Sequence, residues 1–87
     1  MAYVYQEQRA FVFTEQGQEL FLKIRDRAKE LLEVAGAARL QEIIAGATGD
    51  SWNMLACVDR LVELGELREI TPSYHSPGQY RVFVQGW

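Results

Sequence analysis

The sequence predicts an α+β fold: three helices packed against a small antiparallel sheet. Three observations carry this. Apolar residues recur at helical spacing between Leu20 and Ala35, glycine-punctuated helical segments follow, and two strand-like runs flank a proline- and glycine-bearing loop near the end. The 87 residues are read as one domain, 1–87, because either half alone falls below the size at which a core sustains itself. A composition of 48% hydrophobic and 24% charged residues excludes global disorder, which needs low hydrophobicity with high net charge. The net charge of −3 excludes a strongly basic wrapper of nucleic acid or of anionic membranes.

Each element has its own signal. Tyr3-Val4-Tyr5, polar Gln6 to Arg9, and Ala10-Phe11-Val12-Phe13 are rich in aromatic and β-branched residues, which predicts one or two short strands. A strand, a hairpin or an arm exchanged with a partner all fit Met1 to Phe13. Thr14 is placed as an N-cap, with Glu15 in the first helical turn where the dipole favours a carboxylate. Leu20, Phe21, Ile24, Ala28, Leu31, Leu32 and Ala35 then fall on one broad helical face, with Asp26, Lys29 and Glu33 opposite. Leu22 points away from that face, either as a lone exposed leucine or as a dimer contact. Gly36 is a natural stop.

Ala38 to Ala45 reads as a short second helix with Leu40, Ile43 and Ile44 inward, and Gly46-Ala47-Thr48-Gly49 breaks it. Asp50 or Ser51 caps a third helix running to Leu64, on which Met54, Val58, Leu61 and Val62 share a face, and Gly65 ends it. Glu66 to Ile70 and Tyr80 to Val84 read as strands, joined into a hairpin by the loop Thr71-Pro72-Ser73-Tyr74-His75-Ser76-Pro77-Gly78. Leu20, Ile24, Leu31, Ile43, Met54, Val58, Leu61 and Leu67 are expected to form one buried cluster.

Leu40 to Val84 resembles the winged helix-turn-helix of bacterial regulators. The resemblance rests on the short helix, small turn and second helix, then on Leu61-Val62-Glu63-Leu64-Gly65-Glu66-Leu67 leading into the hairpin, with Gly78-Gln79-Tyr80-Arg81-Val82 as the return strand. It covers about half the chain and specifies an architecture, not a single family. It implies a DNA-binding module for transcription regulation, with contact through the third helix and the wing. On the outward stripe of that helix, Asn53 is matched to adenine, Ala56 to a thymine methyl and Arg60 to guanine or phosphate. Trp52, Arg68, Tyr74, His75 and Arg81 complete the set of expected nucleic-acid or partner contacts.

Charge argues for a second reading, a winged helix that binds protein and not DNA. Asp59 and Glu63 lie beside Arg60, which is equally well explained as the partner of Glu63 in a local ion pair. Between Thr71 and Gln79 there is no lysine or arginine, only His75. From Ala38 onward Arg39, Arg60, Arg68 and Arg81 face six carboxylates. Trp52 is either a half-exposed anchor for a partner or a ring folded over Ile43 or Ile44. The partners implied are double-stranded DNA, another protein, or a second copy of this chain.

No enzyme and no cofactor are expected. The single histidine and single cysteine cannot make the usual zinc sets, Cys57 has no adjacent base, and Gly46-x-x-Gly49 lacks the lysine of a phosphate loop. With no apolar run long enough to span a bilayer and no visible secretory leader, a cytoplasmic location away from membranes is expected.

Overall fold

Local caps set the helix limits in the computed structural model, which describes residues 2–70 and 81–86. The elements are α1 (Tyr5–Val12), α2 (Glu15–Ala35), β1 (Ala37–Arg39), α3 (Leu40–Ile44), α4 (Ser51–Glu63), β2 (Leu67–Glu69) and β3 (Val82–Gln85). Among the described residues the fold is therefore α+β, with four helices and a small three-stranded antiparallel sheet. The Thr14 hydroxyl accepts from the Gly17 N–H at 3.0 Å and opens α2. Asp50 accepts from the Trp52 N–H at 2.7 Å and opens α4. Gly36 closes α2 in the left-handed region at φ 79°. After α4, Gly65 adopts φ 80°, its N–H bonding to the Val62 carbonyl at 3.0 Å and that of Glu66 to the Leu61 carbonyl at 2.9 Å.

The sheet order is β1-β3-β2. Ala37, Ala38 and Arg39 face Val84, Phe83 and Val82 across one side of β3. Leu67, Arg68 and Glu69 face Gln85, Val84 and Phe83 across the other. Phe83, on the central strand, is the largest of the fully buried side chains. Around it lie Ile24 and Ala28 of α2, Leu40 and Ile43 of α3, Ala56, Cys57, Val58 and Leu61 of α4, and Leu67 of β2. Val12 joins them from α1.

Three expectations are corrected. The opening segment is a helix, not strands. Tyr5, Gln8, Arg9, Phe11 and Val12 are its more buried positions, a helical spacing, and the good helix formers between them carry the turn. Packing on α4 overrides the β preference of the aromatic residues. The region from Ala38 is divided: β1 occupies 37–39 and the helix starts only at Leu40. Alanine has little strand preference, so β1 exists through its pairing with β3 and not through a local signal. Of the expected core, Ile24, Ile43, Val58, Leu61 and Leu67 are buried, whereas Leu20, Leu31 and Met54 are half-buried and pack against its edge. Leu22 is exposed, as its position on α2 implied.

Truncating Leu61, which is 1% exposed, to alanine is expected to cost about 2–5 kcal/mol, because a buried cavity adds to the lost transfer energy. Val34, 88% exposed, should tolerate the same change within about 0.5 kcal/mol. Urea unfolding of the two variants measures both.

Candidate functional site

Helix α4 gathers most of the hydrogen bonds between side chains among the described residues, and they centre on two of its carboxylates, Asp59 and Glu63. One helical turn separates them, so both lie on the same side of the helix. Glu63 accepts from the Tyr5 hydroxyl at 2.7 Å, from Arg9 Nε at 3.0 Å to each oxygen, and from Arg60 Nη1 at 2.8 Å. The guanidinium carbons of Arg9 and Arg60 each stand 5.0 Å from the centre of the Phe13 ring, within cation–π range. Glu63, Arg9, Arg60 and Phe13 thus form one cluster that ties α1 to α4.

Asp59 anchors a second cluster. Its Oδ2 accepts from the Tyr3 hydroxyl at 2.7 Å and its Oδ1 from Arg81 Nη2 at 2.6 Å. Arg81 also holds Glu69 through Nη2 at 2.8 Å and Nε at 3.1 Å, a two-pronged contact that fits a planar guanidinium. The Arg81 guanidinium lies 5.1 Å from the Phe83 ring centre. Its side chain and that of Asp59 are both only 16% exposed. Tyr3 also meets Trp52 edge to face, with ring centres 6.3 Å apart.

The titration behaviour follows. Glu63 is pulled down to about 2, first by the Tyr5 hydroxyl and then by Arg60 and Arg9. Burial, and then the hydrogen bond to Glu63, pushes Tyr5 up to about 12. Tyr3 is raised as well, by burial and by Asp59. Burial works against the charge on Arg81, but the hydrogen bonds to Glu69 and Asp59 outweigh it and hold its pKa above the ordinary arginine value. Burial alone pushes Cys57 up to about 11; its Sγ lies 3.9 Å from the Gly17 carbonyl oxygen and is an unreactive packing group.

Several expected contacts stand elsewhere than the outward stripe required. Ala56 has no exposed surface and cannot meet a thymine methyl, because it lies on the side of α4 that α1 packs against. Arg60 is directed to Glu63 and Phe13 and is 21% exposed. Arg81 is enclosed by Asp59 and Glu69 and is not presented at the surface as a phosphate contact. Asn53 and Trp52 are half-buried, and the indole's ring contact is with Tyr3, not a free anchor surface. Arg68 is exposed on β2, with no ion-pair partner among the described residues. Tyr74 and His75 lie outside the described residues.

Tyr3, Tyr5, Arg9, Phe13 and Glu69 were not among the expected contacts. Tyr3, Tyr5 and Arg9 meet acceptors 54 to 58 positions away, so no local pattern marks those contacts, whereas Phe13 and Glu69 also meet arginines nearer in sequence. The one available signal was the Asp59/Glu63 spacing on α4.

One concavity among the described residues, about 340 Å³, lies between α2 and the turn after α3. Lys23 and Arg27 line it beside Asp26 and Glu30, a mixed set with no net preference for an anion. Among the described residues no group of three side chains could hold a metal ion, and no helix is long and apolar enough to cross a membrane. Comparison with family models, curated proteins and solved structures finds no match to this chain.

Because the Glu63 partners favour its charged form, their contribution is complete above the ordinary carboxyl value of 4.5 and is lost as pH falls through about 2. Acidification across that window is expected to loosen α1, seen as shifts of the amide resonances of residues 5–12. In Glu63→Gln those resonances should be nearly flat over the same window.

Proposed function

We propose that this chain is a winged-helix module that recognises another protein and does not read DNA. The architecture is supported by the order of elements. A helix, a short strand, the α3-turn-α4 pair and two further strands follow one another, and β1 and β2 flank β3 as the two outer strands of the sheet. In sequence the wing of such a module would fall at residues 71–80, between β2 and β3, which lie outside the described residues.

One observation carries the choice of partner: two of the three arginines expected to meet DNA, Arg60 and Arg81, are already neutralised from within. Arg60 is paired with Glu63, and Arg81 with Asp59 and Glu69. Duplex DNA gains affinity when free lysines and arginines release its condensed counterions. Here a phosphate would have to displace a carboxylate already in place, exchanging one ion pair for another. The part of α4 that neither α1 nor the core covers fully carries Ser51, Leu55 and Val62, which is uncharged and suits a protein surface better than a polyanion.

Titration of a labelled duplex at low salt tests this. The expected result is no saturable binding, with at most a weak response whose salt slope is near −1, as one free cation such as Arg68 would give. Saturable binding with a slope of about −3, weakened by Arg60→Ala, would overturn the reading. Peptides selected from a displayed library on the immobilised protein supply the positive arm: they are expected to bind in a manner abolished by Leu55→Glu.

A further inference from the structure

We infer that α1 is an exchangeable element, and that a second copy of this chain can take it, so that α1 of each copy lies on α4 of the other in a two-fold dimer. The inference rests on the hinge and on what α1 touches, and is independent of whether the module's partner is protein or DNA.

Only Phe13 and Thr14 connect α1 to α2. Phe13 sits at φ −90°, ψ 3° and Thr14 at φ −83°, ψ 164°. Against helical values near φ −63°, ψ −42°, the large departure in this connection is one torsion, ψ of Thr14. Neither residue is proline or glycine. Rotation about that bond, with a small adjustment at Phe13, fuses the two helices into one running over residues 5–35.

The contacts that seat α1 can be remade between copies. Tyr5 and Arg9 engage Glu63, and Tyr3 engages Asp59; all of these acceptors belong to α4, which a second molecule presents equally well. An eight-residue helix is not stable in water by itself, so α1 is held either by its own α4 or by that of another copy. The contacts given up on opening are local ones. The Thr14 hydroxyl donates to the Phe11 carbonyl and accepts from the Gly17 N–H, and Gln18 Nε2 donates to the Val12 carbonyl. A continuous helix supplies its own partners for these backbone groups. The exchange is reciprocal, so the interface closes on itself without generating fibres.

Gly17 sets the balance between the two forms. A Cβ at this position would lie well inside van der Waals contact of the Phe11 carbonyl group and of the Val12 Cα. Those are backbone atoms at the junction and cannot step aside without moving α1. The folded-back arrangement therefore requires glycine here, whereas a continuous helix prefers alanine.

Gly17→Ala is the direct test, read by sedimentation over a concentration series. The expected outcome is a dimer with helical content at least equal to that of the original chain and a dissociation constant at least about tenfold lower. A folded monomer, with α1 either still in place or released, would overturn the inference. A second experiment stands even if that variant fails to fold. Arg9→Glu and Glu63→Arg each set like charges facing one another within a single chain, yet a mixture of the two can place unlike charges at both exchanged contacts. Mixing the two chains is expected to give a one-to-one heterodimer that neither forms alone. Chains that remain separate on mixing, or that pair without restoring the amide resonances of residues 5–12, would rule the exchange out.

Discussion

A helix buried around more than half of its circumference cannot be covered from one side, and this requirement organises the molecule. Ala56, Cys57, Val58 and Leu61 of α4 are at most 1% exposed, and at 100° per residue they span about 200° of the helix. Helix α2 and strand β2 cover part of that arc. The Ala56 side needs another cover, and α1 supplies it with Val12 buried beneath. The N-terminal segment is thus part of the core's enclosure.

The polar contacts follow from that placement. Packing a helix over the Ala56 side brings Tyr5 and Arg9 to the neighbouring carboxylate, Glu63, and brings Tyr3 to Asp59. A carboxylate half withdrawn from water needs donors, and tyrosine hydroxyls and guanidinium groups provide them while their apolar parts cover carbon. Exposed ion pairs contribute little individually. Their role here is orientation: several donors converging on one acceptor fix how α1 lies along α4, which a contact through Val12 alone would leave loose.

What the sequence made legible was local. Thr14, Gly36 and Gly65 mark helix ends through backbone chemistry complete within a few residues, and the structure uses each as read; of Asp50 and Ser51, the two caps that α4 offered, it uses Asp50. The α2 stripe and the inward face of α4 follow from periodicity, which needs no knowledge of neighbours. Long-range matters were not legible. Strand β1 consists of Ala37, Ala38 and Arg39, which are extended because Phe83 and its neighbours stand opposite. The segment before Thr14 has strand-like aromatics but is helical because α4 needs a cover. Ala56 lay on what a three-helix reading treats as the outer face, and only a fourth helix places it inside. The candidate site suffered for the same reason: Arg60 and Arg81 were visible as cations, and of their acceptors only the local one, Glu63, was foreseen for Arg60.

The Asp59 cluster joins four stretches of chain: Tyr3 ahead of α1, Asp59 on α4, Glu69 on β2 and Arg81 leading into β3. Losing Arg81 would leave two carboxylates facing one another; losing Asp59 would strand a tyrosine hydroxyl and part of a guanidinium. Neither half has a good intermediate, so the set constrains inheritance as well as shape. A replacement at any one of these four positions therefore calls for a matching change at another, as coupled neighbours do.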